Sequence, residues 1–330
     1  MKGIPNNERA KLIKFFKKQI RSYQFILFLV CIGLIIMMSI LSPYFFTIKN
    51  LKDVLLGASI IGIVSFGMTV VLINGGIDLS VGSVVALSSV ILCVSINAGL
   101  SLPLALILTF SGGIIVGMVN GFFIGYLKIN PFIITLGTMS LLRGIAYIII
   151  GGRPLPFESS FVRSIGANSF LSIPIPIYIL FLVFIVLLFL LKYTQFGVNI
   201  YATGASEEVS ILAGINTTKN KLFVFCIMGF LSALAGFVLA ARTSAGIPSA
   251  GEGYELDAIT AAILGGTSLK GGEGNLFGTV LGIAIVQIIV NGQNLLQVPY
   301  FYQLVSKGVI VIVAMVIAYF RRGEAAQNTR

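Results

Sequence analysis

The chain has 330 residues, of which 57% are hydrophobic and only 10% charged, and its mean hydropathy is +1.03. A soluble domain carries roughly 25% charged residues, so most of this surface is built to face lipid. A net charge of +11 in a soluble protein would point to nucleic acid; here the basic residues follow membrane topology, and no nucleic-acid partner is predicted. The chain has no histidine, which excludes imidazole metal sites and histidine bases. Cys31, Cys93 and Cys226 lie in apolar runs without metal or redox spacing and read as small hydrophobes, so no metal site is predicted.

Residues 1–22 form a basic segment ahead of the first apolar run, Tyr23 to Leu41, which is too long for the core of a signal peptide and reads as a retained span. About 20 residues cross the hydrocarbon core. On that measure the runs predict about ten crossings, at 23–41, 51–73, 79–97, 101–127, 131–151, 174–191, 221–241, 257–267, 276–297 and 300–320. The piece at 257–267, with glycines on both sides, is too short to cross alone and reads as a half-helix. An even count, with basic residues at the start and Arg321, Arg322 and Arg330 at the end, places both termini in the cytoplasm. The expected division is a basic cytoplasmic N-terminal segment 1–22, one transmembrane domain 23–320 holding a cytoplasmic loop 192–220, and a cytoplasmic tail 321–330. Pro154, Pro156, Pro174 and Pro176 predict an irregular cap rather than a helix over 152–173, on the outer side.

The stretch Asn74-Gly75-Gly76-Ile77-Asp78-Leu79-Ser80-Val81-Gly82-Ser83 interrupts two apolar runs. A carboxylate at membrane depth costs about 2.5–3.5 kcal/mol and faces a wet cavity or a partner. Glycines beside it let the backbone leave the helix where protein or water replaces lipid. A second break carries Glu255 and Asp257 after Gly251 and Gly253. In both, the acid stands just before an apolar helix, where carboxylates favour the N-terminus. Asp78, Glu255 and Asp257 are therefore predicted to cap broken helices. The alternative is that Asp78 or Asp257 is the proton or sodium site of an ion-coupled secondary transporter. Arg143, inside a span, also needs a partner or a wet cavity.

Gly113-x3-Gly117-x2-Asn120-Gly121 precedes Pro131, and Gly278-x3-Gly282 with Asn291-Gly292 precedes Pro299. With about ten crossings the two groups run in opposite directions, which predicts an inverted repeat with a substrate path at its interface. In the loop 192–220, Ser206 can cap a short helix whose first turn holds Glu207 and Glu208, with Val209, Leu212 and Ala213 on one face and Gly214 as its stop. Such a helix rests on the membrane surface or docks into a groove on a partner. The glycines of 265–274 lack the order of a phosphate loop, so no nucleotide site is predicted in this chain. No catalytic residue is predicted: there is neither a nucleophile elbow nor a histidine to serve a serine.

The strings Gly75-Gly76-Ile77-Asp78-Leu79-Ser80-Val81-Gly82, Tyr254-Glu255-Leu256-Asp257-Ala258-Ile259 and Leu264-Gly265-Gly266-Thr267-Ser268-Leu269-x-Gly271-Gly272, with the segment Gly204 to Asn216, resemble signatures of ribose-type ABC-transporter permeases. The resemblance runs from about residue 25 to 320. It implies an all-α polytopic fold of the type II importer kind. It also implies a bacterial inner-membrane location and a role as the permease subunit of a sugar importer that is not itself an enzyme. The implied partners are a second permease subunit, two ATPase subunits that carry ATP and magnesium, and an extracytoplasmic sugar-binding protein. No cofactor is implied in this chain. Glu207, Glu208, Ala213 and Gly214 would couple to the ATPase; the family has Glu-Ala-Ala where this chain has Glu207-Glu208-Val209. A weakly selective path needs hydroxyls and amides, for which Asn74, Asp78, Ser80, Ser83, Asn120, Thr135 and Thr138 are the candidates. A related permease for another small polar solute would share all of these features.

Overall fold

The computed structural model describes residues 23–327, and side chains within 24–316. The basic segment 1–22 and Arg330 lie outside the described residues, and Arg321 and Arg322 lie outside those whose side chains are described. The helices are α1 (Tyr23–Leu41), α2 (Ile48–Ile73), α3 (Val81–Asn97), α4 (Leu102–Gly125), α5 (Pro131–Ile150), α6 (Ser160–Ala167), α7 (Ile175–Tyr193), α8 (Gln195–Ala205), α9 (Glu207–Leu212), α10 (Thr217–Thr243), α11 (Tyr254–Leu264), α12 (Leu276–Leu295) and α13 (Tyr300–Gln327). Two antiparallel pairs of two-residue strands join β1 (Leu155–Pro156) to β4 (Ala245–Gly246), and β2 (Ser169–Phe170) to β3 (Ile173–Pro174).

Among the described residues, α1, α2, α4, α5, α7, α10 and α12 are the 7 helices long and apolar enough to cross a membrane. α3 and Tyr300–Val316 of α13 are shorter apolar helices. The protein is thus an all-α polytopic membrane protein. Apolarity all round a helix does not say which helices are central, because lipid and protein interior are equally dry. Burial does: 83% of the apolar window of α2 is covered by protein, against 11% for α1. α2, α3, α10 and α11 form the centre, and α1, α5 and α7 lie at the rim.

Small residues set the close contacts, as expected where no hydrophobic force draws helices together in lipid. Gly113, Gly117 and Gly121 lie four apart on α4 and run along α10; a methyl group at Gly117 would sit 2.2 Å from the Phe225 carbonyl oxygen. Gly278 and Gly282 do the same for α12 on α11, where a methyl group would come within 1.8 Å of the Gly265 oxygen and 1.9 Å of the Ala261 oxygen. The neighbourhoods match in kind: α3 packs on α4, α5 and α10, while α11 packs on α12, α13 and α2.

Two expectations about the irregular segments need correction, and a predicted loop holds one helix more than expected. Residues 152–173 are not wholly irregular: α6 forms because the prolines stand outside it and Ser159 accepts the Val162 N–H. The loop 192–220 holds a further helix, α8, started by Thr194, whose side chain accepts the Gly197 N–H. The half-helix begins three residues earlier than the apolar run, at Tyr254, because Gly253 takes φ +79, which glycine adopts without strain.

Candidate functional site

Four of the predicted path residues form one polar chain at the first break, buried at Asp78, Ser80 and Asn120 and half-buried at Thr138. Asp78 Oδ1 accepts the Ser80 N–H at 2.8 Å and the Ser80 hydroxyl at 2.5 Å. Asn120 Nδ2 donates to Ser80 Oγ at 3.1 Å, and Thr138 Oγ1 donates to Asn120 Oδ1 at 2.7 Å. The chain ties the start of α3 to α4 and α5. Ser83 and Thr135 stand apart from it: the Ser83 hydroxyl donates to the Met139 carbonyl, and that of Thr135 to Pro131 in its own helix. Asn74 is the C-cap of α2, and neither end of its carboxamide meets a partner in the protein.

The second break is built differently. Asp257 Oδ2 accepts from Lys307 Nζ at 2.7 Å, a partly buried ion pair that fastens α13 to α11. Arg143 donates to carbonyls, from Nη1 to Pro248 and Ala250 at 2.7 and 2.6 Å in the segment leading into α11, and its charge also acts on the Glu255 carboxylate. The two breaks abut, since a methyl group at Gly82 would lie 2.1 Å from the Gly251 oxygen and 2.8 Å from Glu255 Oε2.

None of the three acids is itself the N-cap residue, although the Glu255 carboxylate accepts from the backbone of Gly253 and Glu255 at the start of its helix. The N-cap of α3 is Ser80 and that of α11 is Gly253, both without a side-chain cap bond. Asp78 closes a turn onto the residue two further on, while Glu255 and Asp257 sit inside the first turn of α11. For Asp257 the reason is plain: a cation within reach outweighs a backbone N–H as partner for a buried carboxylate.

α9 is set by Ser206, whose side chain accepts the Val209 N–H, and it ends at Ala213 and at Gly214, which has φ +82. Glu207 points back into the protein. One of its oxygens takes Lys128 and the hydroxyl of Thr217; the other takes Lys221 at 2.5 Å. Partial burial pushes the Glu207 carboxyl up, but the hydrogen bonds and charges of Lys128 and Lys221 outweigh this and hold it at about 2. Glu208, Val209, Ile211 and Leu212 are left exposed, with Leu212 at 87%. α8 seats the assembly on the end of α2: a methyl group at Gly204 would be 1.8 Å from the Ile73 oxygen, which accepts the Gly272 N–H at 2.8 Å. Between the end of α2, the α4–α5 turn and α9 lies a pocket of about 180 Å³ that includes Asn74, Lys128, Glu207, Lys221 and Phe225 in its wall.

Lys128, Lys221, Lys307 and Gly204 are the members that sequence reasoning missed. Lys307 had a signal, a single cation inside the last apolar run, of the same kind that singled out Arg143. Lys128 and Lys221 stood at the ends of spans, where a lysine needs no explanation.

A dry bundle with two broken helices meeting inside it, and a short helix held out at one end, defines a membrane permease. The chain belongs to the family described as branched-chain amino acid transport system / permease component, matched over residues 50–315, and within it to the ribose-type ABC permeases of the inner membrane. It is 41% identical to the ribose import permease protein RbsC of Haemophilus influenzae over 292 residues, covering 87% of this chain and 90% of the relative. The same protein of Bacillus subtilis is 42% identical over 286 residues, 86% of this chain and 89% of the relative. The L-arabinose transport system permease protein AraH of Escherichia coli is 38% identical over 297 residues, 90% and 88% of the two chains. No solved structure matches the chain at a significant level.

Proposed function

We propose that the chain is the membrane-spanning subunit of an ATP-driven, binding-protein-dependent importer of a small sugar, with pentoses the first class to test. ATP and magnesium act on separate ATPase subunits, and a second permease subunit completes the path. Both termini and α9 face the cytoplasm, and the matching neighbourhoods of α3 and α11 support an inverted repeat whose two breaks meet beside the path. The observation that carries the reading is the hold on α9. Glu207 turns inward to Lys128 and Lys221, and this leaves Val209, Ile211 and Leu212 outward on a helix that is seated on α2 through Gly204. Such a face suits helix-in-groove docking on a soluble subunit. Closure of the ATPase pair would move α9, and through the Gly204 contact the first break.

Replacing Leu212 by Glu should leave membrane insertion unchanged, release the ATPase on co-purification and abolish ATP-driven uptake. Uptake that is unchanged in Leu212→Glu, or that collapses with an ionophore and ignores vanadate, would sink the assignment. Of the two acids of the ion-coupled alternative, the Asp257 carboxylate is already engaged by Lys307, and Asp78, held by Ser80, is decided by whether uptake survives in Asp78→Asn.

A further inference from the structure

We propose that the pocket between the end of α2 and α9 binds one small neutral polyol, the transported sugar, on the cytoplasmic side of the first break. The proposal rests on the sugar-importer reading and adds a site to it. At about 180 Å³ the pocket has room for about six waters. That suits a pentose and falls short of the roughly 300–1,000 Å³ that larger ligands occupy.

The strongest pointer is Asn74. Other buried asparagines find partners: Asn50 and Asn291 exchange both ends of their carboxamides at 3.1 and 2.7 Å, Asn120 donates to Ser80 and accepts from Thr138, and Asn220 lacks a partner at its oxygen only. Asn74 is 4% exposed, and neither its Nδ2 nor its Oδ1 has a partner in the protein. A buried polar atom left without a partner costs about 1–3 kcal/mol. A carboxamide offers donors and an acceptor side by side, and adjacent hydroxyls, each both donor and acceptor, complement it.

The charges favour a neutral ligand. Lys128 and Lys221 share the one carboxylate of Glu207, so one positive charge is left over. However, α2 and α4 both end at this pocket, at Asn74 and just past Ile124, and helix C-termini carry about half a negative charge each. The start of α5, at Asn130, restores part of the positive balance. Little net field is left to hold an anion, while the lysines keep spare donors and Glu207 keeps spare lone pairs. Ile129 and Pro131, in front of the buried Ile124 and Phe225, supply an apolar wall for the C–H face of a sugar.

The test is thermal unfolding of the purified full-length permease in nanodiscs, without partners, titrated with ribose, arabinose, ribose 5-phosphate and a non-polyol control. A saturable rise in Tm with a neutral pentose at millimolar concentration is expected. Asn74→Leu should raise the Tm without sugar, because it removes the unpartnered amide, and should erase the rise that sugar produces. Ser232→Ala removes another buried hydroxyl without a partner, outside the pocket, and should keep the sugar-dependent rise. The proposal is overturned if no neutral sugar shifts the wild type, if the shift survives Asn74→Leu, or if only the phosphate ester acts. Uptake by the assembled transporter is measured alongside. A working sugar importer whose permease shows no shift defeats the pocket and leaves the function standing; a complex that imports no sugar defeats the function whatever the pocket does.

Discussion

The two breaks look alike in sequence, each an acid among glycines before an apolar helix, and they satisfy that acid in opposite ways. At the first, Asp78 is held by the N–H and hydroxyl of Ser80, the first of a chain of neutral partners that continues through Asn120 to Thr138. At the second, Asp257 is held by the ammonium of Lys307 from a different helix. A chain of neutral partners distributes its hold over several modest bonds, whereas an ion pair concentrates it in one contact whose halves are each costly alone. The first break therefore resembles a joint that several helices share, and the second a single latch between α11 and α13.

That contrast makes the largest predicted effect the loss of Lys307. Lys307→Met leaves Asp257 buried without its cation and should cost about 3–5 kcal/mol, read as a large fall in apparent Tm of the purified protein. Adding Asp257→Leu to that variant should recover most of the loss; no recovery would mean that the pair is not what fastens α13. Next comes Asn120→Leu, which cuts the chain of neutral partners at both of its bonds and should cost about 1–3 kcal/mol, less than the broken ion pair. A larger cost than that of Lys307→Met would reverse the comparison.

Asp78→Asn should be milder still, within about 1 kcal/mol, since the amide oxygen still accepts from Ser80. Uptake should persist in that variant; a folded Asp78→Asn protein with no uptake would show that the charge itself does the work. The smallest effect concerns Glu207, an acid outside the membrane with two cations on it. Its carboxyl lies at about 2 in place of the ordinary 4.5, so its contribution is fully present above pH 4.5 and is lost as the pH falls toward 2. The Tm difference between wild type and Glu207→Gln should be constant at neutral pH and shrink only in that acid window. A difference that shrinks near neutrality would mean that the two lysines do not hold this carboxylate.

Much of the architecture was legible in the residues. Apolar runs placed seven of the long helices to within about four positions, because the need to bury backbone polar groups in lipid acts locally. The last helix runs on past its predicted end at 320 to Gln327, since that need ends where the chain leaves lipid. The cap at Ser206 and the stop at Gly214 were readable for the same reason. Legibility ended where a side chain had two local options. Asp257 had helix-terminus logic on its side and a lysine 50 residues away that prevailed. Glu207 could be read as a residue for a partner, yet it faces inward, and Val209, Ile211 and Leu212 are what the helix shows to the outside. The glycine groups marked a candidate repeat in the sequence, and the fold gives each a packing duty, on α10 for Gly117 and on α11 for Gly278.

The sequence by itself determined that this chain lives in a membrane, where its helices run, and that two of them break beside acids. All of these follow from hydropathy and backbone chemistry along one segment. Only the tertiary structure decided which polar group meets which: Asn50 with Asn291 across 241 residues, Thr69 with Thr279 across 210, and Asn74 with nothing. In a dry interior the strength of such contacts depends on whether a partner arrives in hydrogen-bonding geometry, and that is a property of how distant helices are packed, which no local pattern encodes.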